Sequence, residues 1–251
     1  MTPQADNWDL HWEQYQESSD ASPACAMRLR LGRRLCRLDA ARAPVRMLEL
    51  GSGTGELASY LLAHHAGIEY LGLDVSPLAV EQAGRRIPQA RFATANLMEP
   101  APKEAAGYAA THALCTEVLE HVDDPVTLLR NARAWMQPGC RLVVTVPGGP
   151  MSAFDKHIGH RRHFSPRDLA RLLAEAGYAV KECHGTGFPF FNLYRLTVIA
   201  RGERLITDVA GGPSRVARAV MQTYGLLFRL STSRWGWQTV AVAETLFPDG
   251  P

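Results

Sequence analysis

The sequence has no run of about 18 apolar residues, so no helix is expected to cross a membrane. It has no CxxC pair either. Its five cysteines, at positions 25, 36, 115, 140 and 183, are scattered and odd in number. They predict free thiols in a reducing compartment, not a disulfide framework. The opening stretch MTPQADNWDLHWEQ is polar and acidic and lacks the apolar core of a signal peptide. Together these absences predict a cytoplasmic protein. A basic excess is also missing: the formal net charge is +2, which argues against a dedicated nucleic-acid binder. There is no internal repeat and no low-complexity tract.

What is present suits a single globular domain with additions. The 251 residues are 46% hydrophobic and 21% charged, enough to bury a core without metal or disulfide. From about residue 45 to 184, short apolar runs alternate with helical patterns: VRMLEL, IEYLGLDV, RFATANL, THALCTEV, RLVVTVP and YAVKECH. Such alternation predicts a parallel sheet with helices on both faces. Residues 1–43 read as an N-terminal helical cap, with Trp8, Trp12 and Tyr15 at helical spacing as a stripe packing on the sheet domain. Residues 44–251 read as the sheet domain, interrupted by an insertion at 185–234 before a final strand in WGWQTVAVAE. Between 201 and 234 the insertion carries six arginines against Glu203 and Asp208, with Val216, Val220, Thr223, Leu227 and Leu230 at helical spacing. An amphipathic helix is expected there. It can serve as a lid over a substrate, as a dimer contact or as a membrane-surface helix, and its arginines are the one feature that favours RNA.

LELGSGTGELA, residues 48–58, is a strand, a glycine turn and a helix start. Gly51, Gly53 and Gly55 let the backbone turn tightly beside a ligand, and the amides of the following helix N-terminus then face that ligand. The spacing is GxGxG, with Glu56 where a dinucleotide fingerprint needs its last glycine. Glu49 sits just before the turn, where a carboxylate repels a pyrophosphate but suits a cation. Asp74 ends the next strand, where a carboxylate accepts hydrogen bonds from ribose hydroxyls. The set describes a pocket for a nucleoside with a cationic, amine-bearing tail.

In the order ELGSGTG, LDVSP, ATANL, EVLEHV and PGCRLVVTVP, the chain resembles the class I S-adenosylmethionine-dependent methyltransferases over residues 45–184 and the last strand. The resemblance implies a Rossmann-like α/β fold: a seven-stranded sheet, last strand antiparallel, with helices on both faces. It implies that Glu49, Gly51, Ser52, Gly53 and Gly55 contact the methionine part of the cofactor and that Asp74 holds the ribose. Val75, Leu97 and Thr116 complete the cofactor's surroundings. Asn96 stands where many relatives carry an aspartate facing the adenine amino group; its side-chain carbonyl can accept the same hydrogen bond. S-adenosylhomocysteine is the implied product.

CTEVLEHVDDP, residues 115–125, leaves the fourth strand. A helical turn there would project Glu117, Glu120 and His121, at i, i+3 and i+4, from one face, and Asp123 or Asp124 would cap the helix starting at Pro125. HIGHRRHF, residues 157–164, follows the fifth strand at the same sheet edge. The pairing is similar to ubiquinone-biosynthesis O-methyltransferases and small-RNA 2′-O-methyltransferases, which hold a divalent cation with an E-x-x-E-H turn and a later histidine. That resemblance implies Glu117, Glu120, His121 and His160 as ligands to a metal such as magnesium, with His163 second to His160. Two other readings stay open. In one, His121 or His160 is a general base without a metal. In the other, Glu120 and His121 organise the turn while Arg161 and Arg162 pair with acids or orient the acceptor; His157 and His163, taken singly, read more readily as solvated loop histidines than as ligands. Phe188, Phe190, Phe191 and Tyr194, with Arg195 nearby, could line an acceptor pocket. The expected function is methyl transfer to a small apolar or aromatic acceptor at oxygen. Transfer to nitrogen or carbon, or cofactor binding without transfer, are the alternatives.

Overall fold

The structure is a computed structural model that describes residues 7–13, 22–40, 44–204, 215–232 and 234–246. Tyr15 and Asp208 lie outside them. The strands are β1 (Val45–Leu50), β2 (Ile68–Asp74), β3 (Arg91–Thr94), β4 (Ala110–Thr116), β5 (Met136–Pro147), β6 (Tyr178–Thr186) and β7 (Gln238–Thr245). They form one sheet in the order β3-β2-β1-β4-β5-β7-β6. β7 runs antiparallel to both of its neighbours, and the remaining pairs are parallel. The chain has the expected Rossmann-like sheet.

The apolar runs divide between the two sheet faces by simple alternation. Leu142, Val144 and Val146 of β5 join one core cluster with Leu48, Leu50, Leu71 and Leu73. Val143 joins the other, with Met47, Tyr70, Leu114 and Val242. Helices Pro125–Ala132 and Pro166–Glu175 contribute Leu128, Leu129, Leu169, Leu172 and Leu173 to the first cluster. Helices Pro23–Cys36 and Glu56–His64 contribute Cys36, Leu57, Ala58 and Leu61 to the second. The N-terminal helix therefore shares the core of the sheet.

Local sequence sets where several helices begin. Ser76-Pro77, Asp124-Pro125 and Ser165-Pro166 each place a capping oxygen before a proline at the first helical position. Each cap accepts the amide three residues on, from Ala79, Thr127 and Asp168 respectively. Proline has no amide to leave unpaired there, and its φ suits the helix. Of the two candidate caps before Pro125, Asp124 is the one that forms.

Two expectations change in detail. The strand expected over 91–97 ends at Thr94, because Asn96 folds its side chain back to accept the Met98 amide at 3.1 Å and turns the chain. Among the described residues, the insertion holds two α-helices, Phe190–Arg201 and Arg215–Leu227. Its aromatic side chains Phe191 and Phe228 pack with Ala24, Met27 and Leu31 of the N-terminal helix. Among the described residues, no helix is long and apolar enough to cross a membrane.

Candidate functional site

Parallel strands end together, so Leu50, Asp74, Thr116 and Pro147 bring their following loops to one sheet edge. The loop after β1 is built on three glycines with positive φ: Gly51 at 72°, Gly53 at 50° and Gly55 at 85°. The amides of Gly51 and Ser52 both donate to the Leu73 carbonyl, at 2.8 and 3.0 Å. This pins the loop across β2. Gly53 donates its amide to Asp74 Oδ2 at 2.8 Å, and Ser76 donates to Oδ1 at 2.9 Å. Asp74 thus anchors the loop through both of its oxygens. The helix after the loop has Gly55 as its N-cap with no side-chain cap, so its first amides and dipole are available to a ligand.

Glu49 is buried behind the loop and accepts a 2.6 Å hydrogen bond from the Tyr70 hydroxyl. Burial pushes its carboxyl well above the ordinary value, and the neighbouring Glu56 and Asp74 carboxylates push the same way. Burial raises Asp74 too, against its hydrogen bonds. Three acids crowded at one loop form a site that a cation would relieve.

A cavity of about 800 Å³ opens at this edge. Its wall includes Glu49, Gly51, Ser52, Gly53 and Thr116 together with Glu117, His121 and His160. The cavity thus joins the glycine loop to the histidines of two distant segments. Phe191, Tyr194 and Val198 of one insertion helix and Met221 and Tyr224 of the other form an apolar part of its wall. Phe188 and Phe190 are not in that wall. Gly55, Asp74, Val75, Asn96 and Leu97 also lie outside it. The N-terminal turn lies across the rim between these groups: Trp12 sits against Gly53, and the Asp9 carboxylate accepts from the Ser76 hydroxyl and, at 3.4 Å, from the Leu78 amide.

The helical face expected for Glu117, Glu120 and His121 does not form. Glu117 takes a positive φ of 57°, and the short 3-10 turn begins only at Leu119. The Glu117 carboxylate accepts from Thr145 Oγ1 at 3.1 Å and Gln238 Nε2 at 2.8 Å. Arg28 lies 3.6 Å away. Glu120 and His121 instead face His160. The potential ligand atoms of these three residues lie within 4.8 Å of one another. Glu120 is fully buried, and neither carboxylate oxygen has a hydrogen-bond partner among the described residues; nor has His121 Nδ1.

Trp8 stacks edge-on against His121 at 4.8 Å, and His121 against His160 at 4.7 Å. Burial holds His121 down at about 3, with His11 adding to the effect. Burial and the His121 ring hold His160 down at about 2. Both rings are neutral near pH 7. The reading of His163 as a solvated loop histidine is corrected: its side chain is only 6% exposed. Its Nε2 lies 3.2 Å from His160 Nδ1. His157 is exposed. Arg161 pairs with Asp123, and Arg162 donates to the Asp123 carbonyl at 2.9 Å, so both arginines brace the EVLEHV turn.

Arg28, Gln238 and Asp155, and with Asp155 its pairing to Arg195, escape a reading of the sequence. No local pattern marks them, since each reaches the site from a separate element. Trp8 and Trp12 carried a signal, their spacing of four, but it specifies a helix face and not what that face covers.

Residues 24–182 match the model of a family described as "Methyltransferase domain". The chain belongs to this methyltransferase family. Among curated proteins, this methyltransferase-family chain is 29% identical over 203 residues to an uncharacterized 37.1 kDa protein in transposon TN4556 of Streptomyces fradiae, covering 75% of this chain and 55% of that protein. The chain thus spans about half the length of that relative. It is 25% identical over 169 residues to a ubiquinone biosynthesis O-methyltransferase of Aeromonas salmonicida, covering 60% of this chain and 70% of that protein. Phosphoethanolamine N-methyltransferase 2 of Haemonchus contortus, solved with phosphomonomethylethanolamine and S-adenosylhomocysteine, superposes with a TM-score of 0.63 at 15% identity. That match covers 98% of this chain and 62% of the other. At that identity the likeness is one of fold.

Proposed function

We propose that the protein transfers a methyl group from S-adenosylmethionine to oxygen of a small, apolar or aromatic acceptor. The observation that carries this reading is the single cavity with the acid-backed glycine loop in one part of its wall and neutral imidazoles with apolar side chains in the rest. Glu49, Gly51, Ser52, Gly53 and Thr116 would hold the methionine portion. Asp74, Val75, Asn96 and Leu97 would meet the nucleoside across the rim. The ubiquinone biosynthesis O-methyltransferase relative, by its name, supports oxygen as the target.

The chemistry asks little of a base. Attack of a neutral hydroxyl on the sulfonium methyl forms the C–O bond as the C–S bond breaks, and the acceptor oxygen becomes strongly acidic as it takes the methyl group. A weakly basic ring such as His160 can accept the proton at that stage. Much of the acceleration then comes from holding donor and acceptor in line.

A second reading rests on Glu120. A fully buried carboxylate without a partner among the described residues is costly unless something neutralises it. A cation held by Glu120, His121 and His160 would do so. One carboxylate and two imidazoles suit a borderline transition cation better than magnesium, and Glu117 is already engaged elsewhere. Such an ion supplies Lewis-acid polarisation of an acceptor oxygen.

Isothermal titration with S-adenosylmethionine and S-adenosylhomocysteine is expected to give saturable binding of both. Absence of binding to either overturns the proposal. Assays with a panel of phenols and amines separate oxygen from nitrogen as the target, and product from neither marks a binder without transfer activity. Exhaustive chelation is expected to leave cofactor binding intact. Loss of turnover under chelation supports the cation, and full turnover removes it.

A further inference from the structure

The HIGHRRHF segment holds a hydrogen-bonded chain that the methyl-transfer reading does not use. His163 Nδ1 lies 3.0 Å from the Gly149 carbonyl oxygen. A carbonyl only accepts, so Nδ1 of His163 must carry a proton. In a neutral ring that leaves Nε2 of His163 as an acceptor. The atom facing it, 3.2 Å away, is Nδ1 of His160. That atom must therefore be the donor, and the proton of neutral His160 sits on Nδ1.

We propose that His163, anchored on the Gly149 carbonyl, is a positioning residue that fixes the tautomer of His160 and leaves its Nε2 as a bare lone pair for the acceptor. This role goes beyond proton transfer by His160 itself and rests on that reading only for its effect on turnover.

The surroundings keep His163 from taking the opposite role. The nearest anion is Asp155, with Oδ2 3.8 Å from His163 Nε2, and that oxygen already accepts three hydrogen bonds. Arg195 donates to the two Asp155 oxygens at 3.0 and 2.5 Å. The Ser152 amide and hydroxyl donate to Oδ2 at 2.6 and 2.8 Å. At 3.8 Å this oxygen is beyond hydrogen-bond distance of the imidazole. Burial lowers His163 as well, in keeping with a neutral ring. Arg195 thus serves the chain indirectly, by satisfying Asp155. Gly149 has a φ of 70° in the Pro-Gly-Gly-Pro turn, and a Cβ there would come within 2.5 Å of the Trp237 ring. This backbone position, and with it the carbonyl anchor, is held by packing.

The test is nitrogen-15 NMR of the histidine rings in the full chain near neutral pH. His160 is assigned by the signal lost in His160→Gln. In the unmodified protein His160 is expected to show a protonated Nδ1 and a bare Nε2. His163→Gln keeps a carbonyl to accept from His160 and an amide to donate to Gly149, so it is expected to retain that pattern and most of the turnover. His163→Leu removes the acceptor. His160 is then expected to move toward the Nε2–H form, with turnover falling about 10- to 100-fold and S-adenosylmethionine affinity unchanged.

A proton on Nε2 of His160 in the unmodified protein overturns the inference, whether or not His163→Leu folds. So does an unchanged Nδ1–H tautomer in a folded His163→Leu. If the tautomers behave as stated but no cofactor binds, the functional reading fails and this inference stands.

Discussion

Gly51→Ala is expected to weaken S-adenosylmethionine binding by about 100-fold, or roughly 2.7 kcal/mol. Gly51 has a φ of 72°, and an L-residue in that region costs about 1–2 kcal/mol. A Cβ would also lie 2.4 Å from Val118 Cγ2, the side chain that leads into the EVLEHV turn. The loop cannot yield easily, because Gly51 and Ser52 both donate to the Leu73 carbonyl. Titration calorimetry on single and double variants separates the two causes. Val118→Ala in the Gly51→Ala background removes the collision but not the φ strain, so it should recover part of the affinity. Recovery of all of it would mean that strain is unimportant, and recovery of none would mean that the collision is.

Glu49→Gln is expected to stabilise the ligand-free protein while weakening cofactor binding. Burial raises the Glu49 carboxyl well above the ordinary glutamate range. Its folded value is therefore above its unfolded one. Between the two, the folded protein holds a proton that the unfolded chain has lost, so stability falls as pH rises through that window. Glutamine keeps the volume and can still accept the Tyr70 hydrogen bond, but it carries no proton to lose. The melting temperature of Glu49→Gln should thus exceed that of the unmodified protein above about pH 4.5. The gap should widen until the folded carboxyl ionises, by about 2–4 °C for each kcal/mol recovered in a chain of this size. A cationic ligand reverses the balance, since it favours ionised Glu49. Cofactor affinity is expected to drop about 10- to 100-fold in Glu49→Gln, in line with losing a charge-assisted contact. Cofactor binding to the unmodified protein should release protons, seen as a calorimetric heat that varies with the buffer's ionisation enthalpy. Equal melting temperatures across the window would show that Glu49 is not held protonated.

The sheet was legible in the sequence because each strand is a short apolar run flanked by a turn signal or a capping residue before proline. Alternation between faces follows from the two-residue period of a strand, and β5 shows it with Val143 opposite Leu142 and Val144. The glycine loop was legible for a similar reason. Its three positive φ values admit few residues other than glycine, so the backbone requirement is written directly in residue type.

The histidine and carboxylate half of the candidate site was legible only as a list of candidates. Glu117, Glu120 and His121 have the spacing of a helix face, yet the backbone reverses at Glu117 and sends its carboxylate toward Gln238, 121 positions away. Local spacing has no knowledge of such partners. Likewise HIGHRRHF displays three histidines, but which of them face one another depends on burial against Asp155, Arg195 and Gly149.

By itself, then, the sequence determined the Rossmann-like sheet, the cofactor-type glycine turn and the segments that would supply imidazoles and carboxylates, because those depend on periodicity and on local φ, ψ limits. Only the tertiary structure decided that Glu117 leaves the group while Glu120 joins His121 and His160. It also decided that Trp12 lies against the glycine loop and that His163 is buried behind His160. Each of these depends on contacts between residues far apart in the chain, settled by how the elements pack and not by local spacing.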